Sequence, residues 1–150
     1  MITVHCPAEA DTRALGRRLA SLLRAGDVVL LAGDLGSGKT VFASGVAEGL
    51  GVSETVVSPS FVLARRYEGL MGLVHADLYR LGSSAEVDDL DLLEAARDGV
   101  LVVEWGEAAA GCFPGDQLLV RLEAGESGAR TVTLLPRGSW RERPLEEVGG

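Results

Sequence analysis

Residues 33–40, Gly33-Asp34-Leu35-Gly36-Ser37-Gly38-Lys39-Thr40, satisfy the pattern G-x-x-x-x-G-K-[ST] at every fixed position. A loop of this kind works only between a strand and a helix, and the flanking sequence supplies both. Val28-Val29-Leu30-Leu31-Ala32 is a short apolar run of the buried-strand type, and Phe42, Val46 and Leu50 follow at i, i+4 and i+8 as far as Gly51. Gly33, Gly36 and Gly38 allow backbone conformations that a Cβ would forbid, so that successive N–H groups turn inward around a polyphosphate. The helix start near Lys39 adds unpaired N–H groups and the positive end of a dipole, which favours an anion by about 0.3–1 kcal/mol. Lys39 can reach the β- and γ-phosphates of a nucleotide, and the Thr40 hydroxyl can ligate Mg²⁺.

A chain of 150 residues suits one domain with a real core, burying roughly 68–70% of its unfolded surface. Residues 2–5 read as a strand closed by Pro7. Residues 8–25 carry Leu15, Leu19, Leu22 and Leu23 on one helical face, with Gly26 placed as a C-terminal cap. After the loop and its helix, residues 56–63 are apolar and β-branched around Pro59, which predicts an edge or bend with a loop at 58–60. A hairpin is expected from residues 61–67 and 72–78. Ser83-Ser84-Ala85-Glu86 has capping-box spacing and predicts a helix with an acidic face running to Gly99. Residues 100–105 form a continuous apolar run ending in Glu104 and Trp105, as a buried parallel strand does. Residues 118–124 and 130–135 alternate apolar and polar around Glu126-Ser127-Gly128 and predict a second antiparallel hairpin. The expected fold is α/β: a single phosphate-loop domain over residues 1–150, its sheet flanked by helices, with antiparallel hairpins. Residues 136–150 are polar and punctuated by Pro and Gly, and are expected to be a mobile tail apart from what Trp140 anchors.

A formal net charge of −8 and a pI near 4.7 argue against extensive direct contact with nucleic-acid phosphates. No apolar run approaches the roughly 20 residues that span a bilayer, and no basic-then-apolar leader opens the chain; a soluble, cytoplasmic protein is expected. Cys6 and Cys112 stand apart without C-x-x-C spacing and read as packing thiols.

Nucleotide chemistry needs more than the loop. A carboxylate must hold or orient Mg²⁺, and another group must position the attacking water or stabilise charge at the γ-phosphate. Asp77 and Glu104 each close an apolar strand run, and ligands of open α/β sheets gather at the carboxyl ends of strands, so both acids can converge on the metal; either can also be an ordinary surface acid. Ser58 and Ser60 form a γ-phosphate-sensing switch or a plain turn. His75, two residues before Asp77 and on the same strand face, orients that carboxylate or is structural. Trp105 stacks on a ligand or packs beside Glu104.

The loop together with Ser58-Pro59-Ser60-Phe61, His75-Ala76-Asp77-Leu78-Tyr79-Arg80-Leu81 and Glu104-Trp105-Gly106-Glu107, in this order, resembles the TsaE family (formerly YjeE) of bacterial ATPases over roughly residues 12–130. The resemblance implies a role in making threonylcarbamoyladenosine (t6A) in tRNA, beside the TsaB and TsaD proteins, with ATP and Mg²⁺ bound here and tRNA reached only through the complex. It implies that Lys39 meets the phosphates, that Thr40 and Glu104 hold Mg²⁺, and that Asp77 has a catalytic or switch role. It extends nucleotide contact to Gly33, Asp34, Leu35, Gly36, Ser37, Gly38, Val41, Thr12 and Arg130, and gives weight to Trp105. Ser60 stands where the family usually has Thr, and Gly106 where relatives often have Pro or Ser. Two other classes share the loop: a small-molecule kinase, for which no Arg-rich lid segment is evident, and a non-catalytic nucleotide-dependent assembly switch.

Overall fold

A strand of five consecutive apolar residues, β2 (Val28–Ala32), is buried along its whole length, and this needs cover on both faces. The computed structural model, which describes residues 1–59, 64–78, 91–105, 111–113 and 115–149, supplies that cover. With β1 (Ile2–Cys6), β3 (Ala64–Glu68), β4 (Gly72–Asp77), β5 (Gly99–Glu104), β6 (Gln117–Ala124) and β7 (Arg130–Arg137), β2 forms a seven-stranded sheet of order β1-β7-β6-β2-β5-β4-β3. The central four strands, β6, β2, β5 and β4, run parallel, whereas β3 and the β7-β1 pair are antiparallel to their neighbours. Both expected hairpins, β3-β4 and β6-β7, are therefore present.

Alternation along the strands splits the core in two. Val29, Leu31, Val100 and Val102 face α1 (Glu9–Leu19) and α2 (Lys39–Gly49), meeting Leu15, Leu19, Phe42 and Val46. Val28, Leu30, Val74, Ala76, Leu101 and Val103 face the other way, where Leu78, Phe113 and the one-turn helix α3 (Leu92–Ala95) close over them. The two long helices cross with their backbones in contact. A Cβ on Gly45 would fall on the Arg13 carbonyl, and one on Gly16 on the Phe42 carbonyl. This close approach fixes the direction of α2, whose first residue follows the glycine loop. No helix of the described residues is long and apolar enough to cross a membrane. Cys6 is a core thiol, its pKa pushed up by burial.

Several sequence expectations need correction. The first helix stops at Leu19; residues 20–22 tighten into a 3₁₀ turn, and Leu23 is extended. The tightening brings Leu23 into the core, and an Asx-type bond from the Arg24 N–H to Asp27 Oδ2, at 2.7 Å, turns the chain into β2. Gly26 accordingly does not cap that helix. At φ 92° it sits at the strand entry, its N–H donated to the Gly99 carbonyl at 2.7 Å. A continuous helix to Gly99 is interrupted at Asp91, which is left-handed (φ 51°, ψ 45°), and Gly99 begins β5; residues 83–90 lie outside the described residues, as do 60–63 of the expected bend and hairpin. The tail is held at many points rather than one. Residues Gly138–Glu142 make a 3₁₀ turn that buries Trp140, and α4 (Leu145–Gly149) packs Leu145 and Val148 against α1 and β1. Arg143 stacks 3.9 Å over the Trp140 ring and forks onto Asp27 at 2.6 and 2.9 Å. The polar composition of the tail concealed these anchors, because they are side chains meeting across the whole chain length.

Candidate nucleotide site

Parallel strands of one sheet share a direction, so β2, β4 and β5 all end at the same edge, and α2 begins there. Gly38 occupies the position before α2 at φ 102°, a left-handed conformation that favours glycine, and its carbonyl accepts the first helical bond from Phe42 at 2.9 Å. At Gly33 a Cβ would collide with the Leu122 carbonyl and lie 2.5 Å from Ser37 Oγ. The loop is thus drawn tight against β6 while its other side opens onto a cleft of about 440 Å³. Thr12, Leu35, Gly36, Gly38, Lys39, Thr40, Val41, Asp77, Glu104 and Arg130, expected at the site, line this cleft together with Trp105 and Ser58. Gly33, Asp34 and Ser37 lie behind the loop instead, along a second hollow formed with residues 121–124.

Lys39 is folded back over the loop. Its Nζ donates to the carbonyls of Gly33 and Asp34 at 2.7 and 2.9 Å and lies 3.8 Å from the centroid of the Trp105 ring. Burial lowers its pKa below the usual lysine range, against the opposing pull of the Glu104, Asp77 and Asp34 carboxylates. Trp105 reaches this position by adopting φ 64°, a conformation that costs a non-glycine residue about 1–3 kcal/mol and that clusters at functional sites.

Glu104 closes β5, and Asp77 closes β4 as its direct register partner. The Thr40 Oγ1 lies 3.1 and 3.0 Å from the two Glu104 carboxylate oxygens, so the helix start and the strand end are joined through the pair of groups expected to hold Mg²⁺. These are hard oxygen donors of the kind Mg²⁺ takes. Among the described residues no group of three or more His, Cys, Asp or Glu side chains could hold a metal ion. An ion here would need phosphate oxygens and water to complete its shell, as Mg²⁺ at nucleotide sites commonly does. The donor set therefore fits Mg²⁺ bound with a polyphosphate.

Arg130, from β7, reaches the loop itself. Its Nε donates to the Ser37 carbonyl at 2.8 Å and its Nη2 to the Gly36 carbonyl at 2.9 Å, so its guanidinium buttresses the loop while it also lines the cleft. Sequence reasoning missed Glu9 and Gly128, which also line the cleft. Glu9 was within reach, because it precedes Thr12 by one helical turn on α1. Gly128 was legible as a turn residue, but that this turn overhangs the loop follows only from the fold. His75 bonds Glu104, with its Nε2 2.6 Å from Oε2, rather than serving Asp77 as the strand alternation had allowed. Ser60, Tyr79, Arg80, Gly106 and Glu107 lie outside the described residues.

The family model described as threonylcarbamoyl adenosine biosynthesis protein TsaE matches residues 6–132. A tRNA threonylcarbamoyladenosine biosynthesis protein TsaE from Streptomyces coelicolor is 51% identical over 115 residues, covering 74% of this chain and 78% of its own length. One of the same name from Bacillus subtilis is 36% identical over 140 residues, covering 92% and 87%. A crystal structure of Bacillus subtilis YdiB superposes with a TM-score of 0.80 at 29% identity, covering 98% of this chain and 93% of that one. By sequence and by fold, the chain belongs to the TsaE family.

Proposed function

We propose that this chain is an Mg²⁺-dependent ATPase that serves tRNA threonylcarbamoyladenosine biosynthesis together with TsaB and TsaD. The observation that carries the ATPase reading is the convergence of Lys39, Thr40 and Glu104 at the start of α2, within 3.1 Å for the Thr40–Glu104 pair. The biosynthetic role rests on family membership and on the names its relatives bear.

Each residue then has a task. The loop N–H groups and the α2 start cradle the phosphates, and Lys39 exchanges the Gly33 and Asp34 carbonyls for β- and γ-phosphate oxygens, which compensate its charge better. Thr40 and Glu104 would hold Mg²⁺, which would supply positive charge to offset the negative charge that develops on the phosphates. Asp77, beside Glu104 across the β4-β5 pair, orients the attacking water. Arg130 keeps the loop carbonyls turned away from the phosphates. Thr12, buried in the cleft wall beside Gly38, meets the nucleoside end.

Substitution of the loop tests this. Lys39→Ala and Thr40→Ala are each expected to lower hydrolysis by about 10²–10³-fold, the usual cost of removing one preorganised electrostatic group, with the circular dichroism of the folded protein unchanged. Near wild-type hydrolysis by either folded variant would exclude the assignment.

A further inference from the structure

Below the cleft floor, His75 is fully buried, and its Nε2 lies 2.6 Å from Glu104 Oε2. With Glu104 as the acceptor, Nε2 is the donating nitrogen of the ring. The other ring nitrogen, Nδ1, is buried without a hydrogen-bond partner among the described residues. The bonding of this imidazole is thus directed at one carboxylate, whereas a histidine retained for packing alone has no reason to be aimed at the acid facing Thr40. The sheet register explains the aim. In the parallel β4-β5 pair His75 stands opposite Val102 and Asp77 opposite Glu104, which sets the imidazole one pleat below the carboxylate row on the same face.

We infer that His75 is a positioning residue that holds Glu104 in the rotamer able to share a divalent cation with Thr40. Oε2 is tied down from below by His75, and the carboxylate is thereby turned so that both oxygens lie within 3.1 Å of the Thr40 hydroxyl. Without that donor Glu104 keeps its burial but loses its orientation, and the cation must organise the carboxylate as it binds. Partners that orient a metal-binding group in this way are commonly worth 10–100-fold in metal affinity. The inference rests on the Mg²⁺-nucleotide reading of the same cleft.

The experiment is ADP binding to the full chain, followed by calorimetry across a Mg²⁺ titration and, separately, in EDTA. In His75→Phe, which keeps a ring of similar size, the Mg²⁺ concentration for half-maximal ADP binding should rise about tenfold, while binding in EDTA changes by less than about twofold. His75→Gln, whose side-chain amide can place a donor near the Nε2 position, should recover most of that shift. A His75→Phe protein with the wild-type Mg²⁺ dependence, or one equally impaired with and without the cation, overturns the assignment. A wild-type protein whose ADP binding ignores Mg²⁺ would overturn the cleft reading itself and this assignment with it. If His75→Phe does not fold, ¹⁵N spectra of the wild-type imidazole decide: an Nε2–H tautomer whose Nε2 signal moves with Mg²⁺ and ADP but not with ADP in EDTA is expected, and a signal indifferent to the cation overturns the inference.

Discussion

Asp77 and Glu104 are cross-strand neighbours with different surroundings. Glu104 is tied to Thr40 and His75, whereas Asp77 lines the cleft at the end of β4, with Ser58 and Trp105 also on the cleft wall. The first arrangement suits a cation and the second suits water. Glu104→Gln should therefore raise the Mg²⁺ concentration that hydrolysis requires, while Asp77→Asn should lower turnover with ADP affinity largely kept; superimposable Mg²⁺ titrations for wild type and Glu104→Gln would contradict this division. Lys39 and Thr40 were legible from spacing alone, because the fixed positions of the loop and the Lys39 bonds to Gly33 and Asp34 all fall within residues 33–40. The two acids were legible because strand ends in an open sheet share an edge. The bond from His75 to Glu104 was not, because it depends on the parallel register of β4 with β5, across 29 positions of sequence. The loop-facing direction of the Arg130 guanidinium was hidden for the same reason.

Among the elements, periodicity located strands and helices well and their ends less well. The first helix stops early because Leu23 and Asp27 are needed elsewhere, one in the core and one at the turn into β2. The C-terminal segment escaped detection because its anchors, an ion pair among them, are long-range contacts with no local signature. Arg143 and Asp27 are almost buried, at 7% and 10% side-chain exposure, and the guanidinium also donates to the Leu22 carbonyl at 3.1 Å. Removing one partner of such a pair leaves the other charge buried and costs about 3–5 kcal/mol, whereas apolar replacement of both costs far less. Arg143→Met should accordingly lower the urea midpoint strongly, and Arg143→Met combined with Asp27→Leu should recover part of the loss. A single variant within about 1 kcal/mol of wild type, as an exposed pair would give, would show that the tail is not held this way.

At the scale of the whole molecule, charge sets the choice of partner. A net charge of −8 leaves little scope for the release of phosphate counterions that builds even non-specific RNA affinity of about 10⁻⁴–10⁻⁶ M. The basic side chains of α1 are already engaged: Arg13 and Arg17 pair with Glu48 on α2 at 2.7 and 3.1 Å, and Arg18 donates to the Val148 carbonyl at 2.7 Å. The isolated chain should therefore bind tRNA weakly at physiological salt, as electrophoretic mobility shift or fluorescence anisotropy would show. Micromolar binding with a steep salt dependence would point instead to direct RNA recognition. On the proposed function, partner proteins would carry the tRNA, and this chain would spend ATP to change the state of their assembly.

The most direct measurement is phosphate release from ATP by the purified chain, alone and with TsaB and TsaD. Release should depend on Mg²⁺, rise when both partners are present, and be lost in Lys39→Ala under the same conditions. No release from the folded protein in either setting, or transfer of the γ-phosphate to an added metabolite, would contradict the account.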